Sequence, residues 1–228
     1  MFEAALMRGD GLDWLRLILV FVSLAASLGY LAIERQPPST LRTGLKTAAI
    51  GLWAPLPLIA LPGAAALPLV LLALAFLLSS AGDLFLAMKD DPRNFQRGLA
   101  AFLAAHIFYL AIMVPLASGP EGLVANAASL LTGAGALALY FWLRPNLGSS
   151  QLPVAAYLVT ILFMALAALA IPAAQPWLGL DAILFVISDG VIAADKFGRP
   201  IPYRWVIVWM TYYAGQALMG LSLLALLR

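Results

Sequence analysis

Eight apolar stretches of about 20 residues, each the length that crosses the hydrocarbon of a bilayer as a helix, dominate this sequence. They lie at about 14–33, 41–61, 65–88, 96–116, 121–143, 153–171, 177–196 and 203–226. Hydrophobic residues are 64% of the 228-residue chain and charged residues only 11%, against about 25% charged in a soluble domain. A soluble chain of this size has too little interior to hide that much apolar surface. The expectation is an all-α, polytopic transmembrane bundle of eight spanning helices, with 1–228 forming a single transmembrane domain. The first run is charge-free from Leu17 to Ile33, between Arg16 and Glu34-Arg35. It is long enough to span and lacks a small-residue cleavage site after a short core, so it reads as a spanning helix and not as a signal peptide.

Proline punctuates the runs. Pro92, Pro120, Pro153, Pro176 and Pro202 stand at or just before helix starts, where a missing N–H costs nothing. Asp91 is placed to cap the helix that begins at Pro92. Pro55 and Pro57 fall inside the second run and predict a kink there. Ten of the 13 Lys and Arg residues flank the odd-numbered connections: Arg35, Arg42, Lys46, Lys89, Arg93, Arg97, Arg144, Lys196, Arg199 and Arg204. The other side holds only Arg8, Arg16 and Arg228. The positive-inside rule then places the odd loops in the cytoplasm and both termini outside.

The chain has no cysteine and one histidine, His106. That excludes disulfides, thiol catalysis, Cys-ligated zinc, iron–sulfur clusters and a multi-His zinc site within one chain, so no metal and no cofactor is expected. The formal charge of +2 comes without a basic stripe interleaved with aromatics, which argues against a nucleic-acid partner.

Ionisable groups inside spans are costly, at about 2.5–3.5 kcal/mol each near the bilayer centre, so those present need a reason. Lys46, Asp83, His106 and Asp189 are such residues, with Asp181 and Asp195 nearer helix ends. At a helical rise of 1.5 Å per residue, Asp83 lies about 8 Å and Asp189 about 10 Å from the cytoplasmic end of their helices. Lys46 is about one turn into the second span and His106 is deeper, so all four occupy the cytoplasmic half. Helical phase groups further residues with them. Gly98, Phe102, Ala105, His106 and Tyr109 share one face, and Phe185, Asp189, Ile192 and Lys196 another with Ser188 beside it. Trp209, Tyr213, Gln216 and Gly220 share a third, with Tyr212 at its edge, while Tyr157 and Thr160 mark the sixth run. These faces could line one pocket open to the cytoplasmic leaflet.

A structural reading stands beside each functional one. Lys46 and Asp83 can form an ion pair that only fixes packing, and the tyrosines and Gln216 can be interhelical hydrogen-bond partners. Gly82-Asp83-Leu84-Phe85-Leu86-Ala87 also echoes Ser188-Asp189-Gly190-Val191-Ile192-Ala193, and 23 residues separate both Asp83 from His106 and Asp189 from Tyr212. A parallel repeat of four helices each and coincidence both fit that echo.

Taken in order, Gly82-Asp83, Gly98…Phe102…His106-Ile-Phe-Tyr109, Phe185-Val-Ile-Ser188-Asp189 and Tyr212-Tyr213-Ala-Gly-Gln216 resemble the YhhN-type lysoplasmalogenase family. Lys46 and the pair Pro153 and Tyr157 are similar to it as well. The likeness runs from the second span to the eighth. It departs where Thr47, in place of proline, follows the lysine, and over 147–151, which carry no family motif. The resemblance implies an integral membrane hydrolase of eight helices, in the bacterial inner membrane, acting on lysoplasmalogens. Its products are a fatty aldehyde and glycerophosphoethanolamine or glycerophosphocholine.

Vinyl ether hydrolysis needs a general acid to protonate the β-carbon, a carboxylate for the cation and water, and no metal. Two carboxylates in one poorly hydrated pocket suit this, because like charges separate their titrations. Asp189 is assigned as the acid and Asp83 as the ionised base, with the reverse assignment open. Lys46, His106, Tyr109, Tyr157, Ser188, Tyr213 and Gln216 are assigned to binding the substrate, with membrane lipid as its surroundings. The alternative is a proton-coupled transporter, which would also bury Asp, Lys and His in a bundle. The near absence of polar residues in the outer half favours the enzyme.

Overall fold

Every element is helical in the computed structural model, which describes residues 1–61, 66–88, 91–172 and 176–227. In chain order the helices are α1 (Phe2–Leu6), α2 (Asp13–Ile33), α3 (Thr40–Gly51), α4 (Pro55–Ile59) and α5 (Ala66–Ala87). They continue as α6 (Pro92–Met113), α7 (Gly122–Leu143), α8 (Gln151–Leu169), α9 (Pro176–Phe197) and α10 (Arg204–Leu226). Among the described residues, seven helices are long and apolar enough to span: α2 and α5 through α10, some lengthened by a short 3₁₀ turn. The chain is an integral membrane protein. Lys89, Arg228 and the first residue of the third run, Ala65, lie outside the described residues.

The second run is where the count departs from eight continuous spans. It forms α3 and α4, joined through Leu52–Ala54, instead of one kinked helix. Pro55 has no N–H to return to Gly51, so the chain tightens to i→i−3 bonds there. Trp53 N–H donates to Ile50 O at 3.0 Å and Ala54 N–H to Gly51 O at 3.1 Å. The 12 residues of α3 extend only about 18 Å, less than the hydrocarbon thickness. Elsewhere proline acts as expected at helix starts, heading both α6 and α9. Asp91 caps α6, its carboxylate accepting from Arg93 N–H at 2.7 Å.

The chain forms two compact units, Met1–Ile112 with Gly220–Arg228, and Met113–Met219. In the first unit, α3 packs between α2 and α5. Trp53 Nε1–H donates to Ser23 Oγ at 2.9 Å, and Ser23 Oγ–H to Ala49 O at 2.5 Å, so the buried indole is satisfied through one hydroxyl. Phe76 lies 6.0 Å from the Trp53 ring and edge-on to Tyr109 at 6.2 Å. A Cβ added at Gly220 would lie 2.7 Å from Trp53, so only glycine lets the end of α10 approach this cluster.

Arg16, read from the sequence as a flanking charge, is instead 1% exposed. It bonds Asp10 at 2.5 and 2.8 Å and Asp13 at 2.8 Å. Its hydrogen bond holds the Asp10 carboxyl well below the usual carboxylate range.

In the second unit α7, α8 and α9 pack on one another, and the first sixteen residues of α10 join them. The 114–121 connection is tied down by Ser118 and Gly119 N–H, which donate to Ala170 O at 2.9 and 3.0 Å. Asp195 staples the turn between α9 and α10, accepting from Ile201 N–H at 3.0 Å and pairing with Arg204 at 3.1 Å. Leu123, Val124, Leu130 and Leu131 on α7 are 72–85% exposed, the pattern of a lipid-facing helix.

Candidate functional site

In the first unit, Asp83 is on α5 and Lys46 on α3. Lys46 Nζ stands 3.3 Å from Asp83 Oδ1, with the carboxylate side chain 2% exposed and the lysine 13%. Lys46 also lies over the Tyr30 ring, 5.7 Å from its centroid. The pairing expected from shared depth is therefore a direct contact.

Glycine explains how the carboxylate is set. A Cβ at Gly82 would fall 2.6 Å from the Phe102 ring, and one at Gly98 would fall 2.8 Å from Leu86. The two glycines let α5 and α6 meet closely beside Asp83, which gives the Gly82-Asp83…Gly98…Phe102 order a packing reason. On α6 His106 is fully buried. Its Nδ1–H donates to Phe102 O at 2.6 Å, so in the neutral ring the acceptor nitrogen is Nε2. Tyr109, also buried, is edge-on to the imidazole at 6.3 Å.

In the second unit, Asp189 on α9 accepts a hydrogen bond from the Tyr157 hydroxyl on α8. Both line a cavity of about 500 Å³ among α7, α8 and α9. Helical phase and spacing do not single out this particular pair. Ser188, beside Asp189, is buried and donates through Oγ–H to Val208 O at 3.2 Å, which makes it a tie between α9 and α10. Gln216 is buried, its amide donating to the Tyr212 hydroxyl at 3.3 Å, and Tyr212 is edge-on to Phe185. Tyr213 stacks on Trp209 at 6.2 Å.

Asp181 is fully buried, one face-repeat of eight residues before Asp189 on α9. Neither of its carboxylate oxygens has a hydrogen-bond partner among the described residues. The sequence reading placed it near a helix end. The overlooked signal was Gly215 on α10, where an added Cβ would lie 3.1 Å from Asp181 O and the two helices press together. Among the described residues no group of three His, Cys, Asp or Glu side chains is arranged to hold a metal ion.

Comparison with known proteins bears on the whole of this region. The model of the YhhN family matches residues 41–223, four-fifths of the chain. The chain is 32% identical over 149 residues to a lysoplasmalogenase of Mycobacterium tuberculosis, covering 63% of this chain and 56% of that protein. It is 35% identical over 153 residues to lysoplasmalogenase TMEM86A of Bos taurus, covering 63% and 61%. It is 35% identical over 150 residues to human lysoplasmalogenase TMEM86B, covering 66% and 62%. The matches thus span less than two thirds of these relatives' own length. None of the three is named as a transporter. No solved structure matches the chain significantly.

Proposed function

Because the chain belongs to the YhhN family, we propose that it is a lysoplasmalogenase, hydrolysing the vinyl ether bond of alkenyl lysophospholipids. The products are a fatty aldehyde and glycerophosphoethanolamine or glycerophosphocholine. The observation that carries the reading is a carboxylate in each unit set against a side chain of a neighbouring helix, Lys46 beside Asp83 and Tyr157 beside Asp189. Those pairs stand in a chain with no cysteine and one histidine.

Asp189 is the proton donor to the β-carbon of the alkenyl chain. The resulting cation is stabilised by the ether oxygen. Water adds to it, and Asp83, charge-balanced by Lys46, takes the water's proton. The hemiacetal collapses to aldehyde and a free glycerol hydroxyl, with the two protons redistributed so that the net reaction consumes one water. General acid–base help of this kind contributes about 10²–10⁴-fold in rate. Lys46, His106, Tyr109, Tyr157, Ser188, Tyr213 and Gln216 hold the substrate and these groups in place. Ester hydrolysis, by contrast, usually calls on an activated nucleophile and an oxyanion hole.

Bond selectivity tests this. Purified protein should cleave an alkenyl lysolipid and leave alkyl and acyl analogues intact, the analogues acting as competitive ligands. Label from heavy-oxygen water should appear in the aldehyde, after correction for aldehyde–water exchange, and not in the glycerol hydroxyl. Efficient fatty acid release from the acyl lysolipid, or loss of activity with chelators, would replace this mechanism with another hydrolase chemistry.

The reading extends to orientation. The ten-to-three division of Lys and Arg supports cytoplasmic odd loops in a bacterial inner membrane. A compartment-reporting tag at Pro92 should report the cytoplasm and one at the C-terminus the outside. A cytoplasmic C-terminus would reverse the assignment.

A further inference from the structure

We propose that the cavity among α7, α8 and α9 is the binding site for the single hydrocarbon chain of a lysophospholipid. The chain enters with its ether end at Asp189 and Tyr157 and its terminal methyl toward Ala128 and Ile183. The identity of the lipid rests on the vinyl-ether reading above. The site itself rests on the second unit alone.

Three features fit a hydrocarbon chain. The first is the distribution of polarity. Of the side chains lining the cavity, only Thr132, Tyr157 and Asp189 are polar, and the last two are bonded to each other. The remaining wall is aliphatic or glycine. A water-filled, solute-binding cavity would leave such a wall poorly hydrated, whereas a chain covers it.

The second is length. A Cβ at Gly190 would lie 3.5 Å from Leu139, which puts Leu139 level with Asp189 on α9. The α7 wall then runs eleven residues to Ala128, about 16 Å at the helical rise. On α9 the lining runs six residues back from Asp189 to Ile183, about 9 Å, and four on to Ala193, so the carboxylate stands between a longer and a shorter apolar stretch.

The third is access. Along that wall an added Cβ at Gly135, one turn from Leu139, meets no atom within 4 Å. Leu130 and Leu131 on the same helix are 74% and 72% exposed, as a lipid-facing surface is. A chain can therefore pass sideways from the bilayer, without leaving an apolar environment, to set its ether carbon against Asp189.

Chain-length profiles and photolabelling test the site together. With alkenyl lysolipids graded from dodecenyl to octadecenyl, Ala128→Phe should shorten the far end of the slot. The ratio of kcat/KM for octadecenyl over dodecenyl should fall at least about tenfold, the loss of roughly two buried methylenes. Gly135→Phe should raise KM for every chain. An unchanged profile in an active Ala128→Phe protein overturns the slot. The second measurement needs no turnover and no variant. In wild-type protein in nanodiscs, an alkyl lysophospholipid with a diazirine at the chain terminus should label the lining of α7, α8 and α9. Unlabelled alkyl lysolipid should suppress that label. Label elsewhere, label insensitive to competitor, or equal labelling by a two-chain phospholipid carrying the same group overturns the slot as a single-chain site. If the wild type cleaves no vinyl ether yet shows the competed label, the enzymatic reading fails and the chain site stands.

Discussion

Asp189→Asn is expected to lower turnover of an alkenyl lysolipid by about 10²–10⁴-fold, with no loss of folded protein. Asparagine keeps the size and shape of the side chain. Its amide oxygen still accepts from the Tyr157 hydroxyl, so the contact between α8 and α9 is preserved. What it lacks is a proton to deliver to carbon. Aldehyde release measured in a single turnover, beside thermal unfolding of the same preparation, separates the two effects. Tyr157→Phe is the control that loses the hydrogen bond and keeps the acid. It should retain far more activity than Asp189→Asn. If Asp189 served only to tie α9 to α8, Tyr157→Phe would cost stability, Asp189→Asn would cost little, and neither would silence the chemistry. An active Asp189→Asn protein would move the acid to another residue.

The spans were legible because bilayer thickness is a length constraint that apolar runs record directly. The break in the second run was half legible. Pro55 and Pro57 announced a disturbance, but not that the lost N–H would tighten residues 52–54 enough to leave two short helices. Lys46 and Asp83 were legible as a pair because an isolated charge at that depth is costly, so two opposite charges at one level seek each other. Tyr157 with Asp189 was not. The contact depends on the rotation of α8 about its axis, and α8 carries no charged residue to fix that phase.

Arg16 and Asp181 both lie near helix ends and both are buried, by partners at very different sequence distances. Arg16 is buried by Asp10 and Asp13, both within six residues of it. Asp181 is buried by a helix that meets it at a glycine 34 residues further on. Local partners can be read from a sequence. Tertiary ones leave only a trace, here a glycine opposite the backbone of Asp181.

The Lys46–Asp83 pair carries the second large effect, and its interest lies in what the double variant separates. Lys46→Met removes the ammonium and leaves a carboxylate that is 2% exposed with its charge uncompensated by that lysine. Breaking a buried pair by removing one partner costs about 3–5 kcal/mol, because the remaining charge keeps its desolvation penalty. Asp83→Asn alone strands the lysine less severely, since a side chain 13% exposed on a long flexible stem can move its head toward water.

Removing both charges takes away the penalty along with the attraction. Lys46→Met with Asp83→Asn should therefore regain most of the stability lost in Lys46→Met. Unfolding in detergent measures all four members of this cycle, and aldehyde release measures their activity. A pair that only fixes helix packing predicts a double variant both stable and active. A carboxylate that takes the proton of water predicts one that is stable and inactive, like Asp83→Asn. Restored activity in the double variant would strip Asp83 of its role as base and leave the ion pair as architecture.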